Sequence, residues 1–261
     1  MNRSPARTRS CLVQRSGAGL VVRSALCLLA ITPLLRWAVI AHAVRPGRRW
    51  RRACPRCSTP LGPGRNLGAL SPRGRCGNCR LRLGPPPWTL ELVTVGSAAA
   101  LVVAGMTGPR LAAYGWWAAV GIVLLYVDLA VQRLPARLSY AAVAGFLALL
   151  SIDAQLAHAW HPWLRSVLGA LVAAAVLATC ALVMPRLVHW GDVRYALAIG
   201  AAAAFVGWLA LYTAAFLSTL LAAVVGGGMI VARRATLATQ VPQAPFLYAG
   251  TLLTLVLLRL G

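Results

Sequence analysis

Residues 193–232, VRYALAIGAAAAFVGWLALYTAAFLSTLLAAVVGGGMIVA, run for forty positions with one charge, Arg194. An α-helix rises 1.5 Å per residue and bilayer hydrocarbon is about 30 Å thick, so about 20 residues make one span and twice that number make two. The run predicts membrane helices at 193–210 and 212–232, with a break near Trp208–Thr213. Working outward, comparable apolar stretches predict helices at 89–107, 111–131, 138–157, 164–184 and 246–260. Residues 20–44 are apolar but are interrupted by Arg23, Pro33 and Arg36. They read as a first transmembrane helix, or as a signal peptide with Ala41-His42-Ala43 resembling a cleavage site. The expected fold class is an all-α, polytopic membrane bundle of about eight transmembrane helices, seven of them in residues 88–261.

Composition agrees. Hydrophobic residues make up 59% of the 261, and charged residues 11%, where a soluble domain carries about a quarter. An ordinary soluble enzyme, a disordered chain and a secreted disulfide scaffold are excluded. The net charge is +22, and every basic residue is Arg, a skew that GC-rich codon usage produces by itself. Such charge suits nucleic acid, but in a membrane protein it more often sets orientation, with basic loops on the cytoplasmic side against anionic lipid.

Residues 1–19 form a polar basic tail with Arg3, Arg7, Arg9 and Arg15. Residues 45–87 are rich in Gly and Pro and carry eleven Arg and no acid. This polar insert is expected in the cytoplasm, which favours an uncleaved first helix, because cleavage would export the insert. Alternating spans then place Arg133, Arg137, Arg186, Arg194, Arg233 and Arg234 on the same side, seventeen Arg in all with the insert's eleven. Arg110, Arg165, Arg259 and the five at or beside the tail make eight on the other side. If the first segment does not span, the tail stays inside and the other seven helices keep their orientation.

The insert contains Cys54-Pro-Arg-Cys57 and Cys76-Gly-Asn-Cys79. A Cys-x-x-Cys turn presents two thiolates to one ion, and two such turns close a tetrahedral four-sulfur site. A segment of about 40 residues with almost no apolar core needs a staple of this kind. A structural Zn2+ in a zinc-ribbon-like insert is the favoured reading. The alternative, two disulfides, conflicts with a cytoplasmic location. Between 45 and 87 only Trp50 could stack on a base, so no nucleic-acid partner is expected. Cys11, Cys27 and Cys180 stand alone and read as small apolar fillers or bystanders.

The only acids are Glu91, Asp128, Asp153 and Asp192. Ionisable groups in membrane helices are costly and usually functional. Topology puts Glu91, Asp128 and Asp192 at the cytoplasmic face; Asp153 falls at the other face and reads as solvated. Glu91 and Asp192 lie in first turns of helices, where the macrodipole favours a carboxylate. Asp128 lies near a helix C-terminus, which disfavours one, so it needs Arg133, a shared proton or a catalytic task. Two neighbouring carboxylates that share a proton can activate water and polarise a carbonyl, the chemistry of aspartic proteases. His42, His158, His161 and His189 form no metal-binding pattern; only His189 is near this pair.

These residues resemble the prepilin peptidases (type IV leader peptidases), membrane aspartyl proteases of the GxGD kind, over about residues 45–250. The cysteine pairs with Arg73-Gly74-Arg75-Cys76 look like that family's cytoplasmic zinc segment. Trp88-Thr-Leu-Glu91-Leu-Val-Thr94 is similar to its entry into the next helix. Asp128 followed by Leu134-Pro135, and Gly191-Asp192-Val193-Arg194 with Gly200 and Gly207, resemble the two catalytic motifs. Pro242 and Pro245-Phe246 resemble a late Pro-Phe motif. The resemblance implies catalytic Asp128 and Asp192 in a multi-pass inner-membrane peptidase of type IV pilus or secretion systems. Such an enzyme cuts a short basic leader from pilin-like precursors after a glycine at the cytoplasmic face. Many members then methylate the new N-terminus with S-adenosylmethionine. The sequence departs at His189, where the motif has its first glycine, at Ala136, where an acid follows Leu-Pro, and at Arg194, in place of Lys. The alternative function is a catalytically degenerate membrane scaffold of the same fold.

Overall fold

The computed structural model describes residues 30–44, 50–62, 66–185, 188–234 and 241–260. The basic tail and the first part of the 20–44 segment lie outside them. Residues 30–42 are helical (α1). There follow α2 (Leu67–Leu70), α3 (Thr89–Val103), α4 (Gly108–Val131), α5 (Ala136–Leu156), α6 (His161–Val183), α7 (Trp190–Val206), α8 (Trp208–Val231) and α9 (Ala244–Leu260). Four of these, α4, α5, α6 and α8, are long and apolar enough to cross a membrane; α3 and α9 are shorter apolar helices. Among the described residues the only β-pairing is two isolated antiparallel bridges between α1 and α3.

The long apolar run divides at Gly207, one residue before the expected interval. Gly207 is extended (φ 170°, ψ 167°), and α8 starts at the next residue. Arg165, at the start of α6, makes the break possible: its guanidinium donates to the carbonyls of Ala204, Phe205 and Val206. Those last-turn acceptors would otherwise lack partners in an apolar medium. Within α6 and α7 the backbones approach closely where Gly169 faces Gly200. A Cβ on Gly200 would collide with the Gly169 carbonyl, so small residues are needed on both helices.

The central helix is α4. Every residue from Gly121 to Asp128 is buried, as expected of a helix surrounded by others. Its Tyr114 meets Phe146 of α5 and Phe205 of α7 edge-on, and its Trp117 stacks on Tyr248 of α9. By contrast α8 buries only Ala210, Leu211, Ala214 and Ser218, and exposes Leu209, Phe216, Val224 and Val231. That is the pattern of a peripheral helix facing lipid.

Successive helices run antiparallel, and side-chain contacts define one end. Arg110 at the start of α4 pairs with Asp153 at the end of α5 at 2.9 Å and lies over the Phe205 ring near the end of α7. Asp153 is therefore an ion-pair partner, rather than the merely solvated acid expected. The opposite end carries the α4–α5 connection, the starts of α7 and α9, and the start of α3 beside the cysteine-bearing segment.

A buried ion pair ties α1 to α3. Arg36 Nη2 donates to both carboxylate oxygens of Glu91, at 2.9 and 3.0 Å, and the Arg36 side chain is fully buried. Glu91 does lie in the first turn of α3, but its partner is this arginine, 55 residues earlier, which sequence reading treated only as an interruption. Ile40 of α1 packs with Cys54, Leu61, Ala69, Cys76 and Leu83, so the small core of the cysteine segment rests on α1.

Candidate functional site

The two Cys-x-x-Cys turns fold alike. In each, the first cysteine's N–H and C=O pair with the residues just beyond the second: Cys54 with Thr59 and Ser58, and Cys76 with Leu81 and Arg80. Ser58 and Arg80, each following the second cysteine, are both left-handed (φ 55° and 56°). Antiparallel bridges Ala53–Pro60 and Arg75–Arg82 close the two loops. Asn66 joins them to α2: its Oδ1 accepts from the N–H of Ala69 and Gly77, and its Nδ2 donates to Cys76 Sγ at 3.4 Å.

All four sulfurs lie within 4.8 Å of one another, with Cys54–Cys79 at 3.5 Å and Cys57–Cys76 at 3.6 Å. A tetrahedral ion with 2.3 Å bonds to sulfur needs S···S edges of about 3.8 Å. The donor set therefore fits one metal ion. The sulfurs are also well beyond disulfide bonding distance, about 2.05 Å. The thiol chemistry is already graded. The Thr59 hydroxyl and then the Thr59 backbone pull the Cys57 thiol down to about 6. The Cys79 backbone and the Asn66 amide pull Cys76 down. Cys79 is pushed up to about 11, because desolvation and the neighbouring thiols outweigh a backbone hydrogen bond from Leu81. Four adjacent thiols do not all ionise unless a cation offsets their charge, and a metal held by them would provide that offset.

The second site is a pocket of about 440 Å³ at the same end of the bundle. Its walls include Asp128 and Asp192, with Arg133, His189, Arg194 and Gln243. Both carboxylate residues are buried, at 4% and 5% exposure. Asp192 is the third residue of α7, and its Oδ2 accepts the N–H of His189, the N-cap residue, at 2.9 Å. Asp128 is in the last turn of α4, yet its Oδ2 accepts the N–H of Ala244, the first residue of α9, at 3.0 Å. Each carboxylate thus sits at a helix N-terminus, a place that favours negative charge. For Asp128 that terminus belongs to another helix, 116 residues away. The cap also explains why α9 begins at Ala244, two residues before the expected start.

Gly191 sets the spacing of the two walls. A Cβ there would stand 3.2 Å from Leu134 Cβ and 3.4 Å from Leu134 N, so the start of α7 rests directly on the α4–α5 connection.

Curated proteins are similar to this chain over about three quarters of its length. It is 29% identical over 217 residues to the prepilin leader peptidase/N-methyltransferase of Burkholderia pseudomallei, covering 78% of this chain and 66% of that protein. It is 29% identical over 210 residues to the protein of the same name from Aeromonas salmonicida, covering 76% and 68%, and likewise over 209 residues to that of Aeromonas hydrophila. The chain is related to the prepilin leader peptidases. It spans about two thirds of the length of the relatives it matches. No family model matches the chain, and no solved structure matches it significantly.

Of the residues singled out by resemblance to the prepilin peptidases, the pocket gathers Asp128, Leu134, Gly191, Asp192, Arg194 and Pro242. Gly200 and Gly207 lie elsewhere: one packs α7 on α6 and the other ends α7. Pro245 and Phe246 form the first turn of α9. Sequence reading missed the Ala244 N–H, since a backbone donor carries no residue signature; the flanking Pro242 and Pro245 were the only local sign of a helix start there.

Proposed function

We infer that the chain is a membrane aspartyl endopeptidase acting on type IV pilin-like precursors. The observation that supports this most is the pair of buried carboxylates, Asp128 from α4 and Asp192 from α7, on one pocket at one end of the bundle. In this reading one carboxylate takes a proton from water while its protonated partner donates to the scissile carbonyl, and the two share one proton because both cannot readily ionise together. The pocket mouth lies at the cytoplasmic face of the inner membrane, on the side that holds seventeen Arg against eight. Residues 45–87 form a cytoplasmic insert whose four thiols hold a structural Zn2+, and residues 88–261 form the peptidase core. The precursor's apolar helix would lie among the bundle helices, in contact with membrane lipids, and present its leader junction to the pocket. Methylation of the new N-terminus, which the relatives' names include, would use S-adenosylmethionine.

The test is co-expression with a pilin-like precursor, read by mass spectrometry of the product. Wild type should remove the leader, and a methylated product would show one added methyl group. Asp128→Asn and Asp192→Asn keep size and polarity but cannot serve as base or acid. Each should lower the cleavage rate by about 10³-fold or more, as loss of one member of a catalytic unit does, with metal content intact. Undiminished cleavage by either variant refutes the mechanism. A wild-type protein that cleaves nothing favours the scaffold reading.

A further inference from the structure

Two polar side chains outside the Cys-x-x-Cys motifs reach the cysteine sulfurs, one in each turn. Cys57 Sγ of the first turn lies 3.1 Å from the Thr59 hydroxyl, and that hydroxyl accepts from Asn78 Nδ2 of the second turn at 3.3 Å. A cysteine bound to a metal is a thiolate with no proton to give, so in that state the Thr59 O–H is the donor. Cys76 Sγ of the second turn accepts from Asn66 Nδ2 at 3.4 Å. The orientation of this amide is fixed: Oδ1 takes the N–H of Gly77 at 2.9 Å and of Ala69 at 3.3 Å, which leaves the nitrogen for the sulfur. Asn66 is buried, and Gly68 allows α2 to press on the second turn. A Cβ on Gly68 would stand 2.9 Å from the Arg75 carbonyl oxygen and 3.0 Å from Gly77 Cα.

We propose that Thr59 and Asn66 are positioning residues of the four-thiol site: each donates to one sulfur of a different turn, and together they set how tightly the site retains its metal ion. This rests on the reading of the four thiols as a metal site. A hydrogen bond to an ionised acceptor is about twice as strong as one between neutral groups, so each donor fixes the direction of a thiolate and spreads its charge. A sulfur left without its donor swings away more readily, and the ion is lost through that side. Groups that hold a ligand from behind in this way are typically worth about 10- to 100-fold in metal affinity. The capping of α2 uses Asn66 Oδ1 alone, so the amide nitrogen does a task that the fold of α2 does not need. The donors also cross between the turns: Asn78 of the second turn supports Thr59, beside the first.

The experiment loads the purified full chain with Zn2+ in detergent, adds excess chromophoric chelator and follows release of the ion. T59V keeps shape without the hydroxyl, and T59S restores the hydroxyl. N66D keeps the acceptor for Ala69 and Gly77 but turns an unprotonated oxygen toward Cys76. T59V and N66D should release the ion about 10- to 100-fold faster than wild type, and T59S near the wild-type rate. A merely structural role predicts wild-type release for N66D, since the α2 cap survives. A second readout is the sulfur-to-metal charge-transfer absorption of the Co2+-loaded protein, which should move to lower energy in T59V and N66D as the sulfurs lose their donors. Helical circular dichroism checks the fold. If N66D does not fold, the T59V and T59S pair, at a half-buried side chain, still decides the role of Thr59. Wild-type release by either isosteric variant overturns the role of that residue, and T59S as fast as T59V overturns the role of the hydroxyl. A wild type that takes up neither Zn2+ nor Co2+ removes the metal reading itself, and the proposal with it.

Discussion

Glu91→Ala should destabilise the protein by about 3–5 kcal/mol, the cost of leaving one member of a buried ion pair alone. The structure sets this magnitude. Arg36 is fully buried, Glu91 is 11% exposed, and both carboxylate oxygens take up the same guanidinium nitrogen at 2.9 and 3.0 Å. Among the described residues, without Glu91 the guanidinium keeps a long contact from Nη1 to the Pro85 carbonyl, 3.5 Å, and its Nε has no partner. Were Glu91 only a first-turn carboxylate, the loss would be about 0.3–1 kcal/mol. The two accounts therefore differ by several-fold in energy. Equilibrium unfolding in mixed non-ionic and SDS micelles, followed by tryptophan fluorescence, measures it. Asp153→Ala is the control: its partner Arg110 is 48% exposed, and removal should cost less than about 1 kcal/mol. The double variant Arg36→Met/Glu91→Met should recover most of the loss, since it removes both charges and refills the space. A cost below about 1 kcal/mol for Glu91→Ala, or a double variant no more stable than the single, would refute this reasoning. Neither Arg36 nor Glu91 lines the carboxylate pocket, so cleavage below the unfolding range should change only a few-fold.

Gly191→Ala should lower kcat/KM by about 10-fold and Gly191→Val by more, because the added carbon presses on Leu134 and moves Asp192 relative to Asp128; unchanged rates in steady-state cleavage assays would show that the contact yields freely. The purified protein should carry about one zinc ion per chain, and Cys54→Ser or Cys76→Ser should abolish it, as read by elemental analysis. Zinc retention should fall with decreasing pH. The Cys57 thiol, already lowered to about 6, stays ionised longest, and protons compete with the metal at the higher thiols first, Cys79 among them. Retention that rises on acidification would contradict thiolate ligation. Reporter fusions in the 45–87 insert should register as cytoplasmic, and a periplasmic signal would overturn the topology.

The order and approximate bounds of the apolar helices were legible from the sequence, because length and hydropathy mark such a helix without a tertiary partner; the short α2 in the cysteine segment was not. The cysteine cluster was legible for a related reason, since a Cys-x-x-Cys turn is a local structure and only the meeting of two turns is long-range. The chain also placed Asp128 and Asp192 at one end of the bundle through the parity of the spans. Tertiary structure decided what each acid touches. Glu91 is held by Arg36 and Asp153 by Arg110, partners that neither spacing nor helix position reveals. Asp128 offers the sharpest case. Local sequence puts it at a C-terminus, where its charge is disfavoured, but packing brings the first N–H of α9 to its Oδ2. Helix dipoles and backbone donors act through space within a turn or so of their origin, so the environment of a charge belongs to whichever helix end lies beside it, and that is known only once the helices are packed.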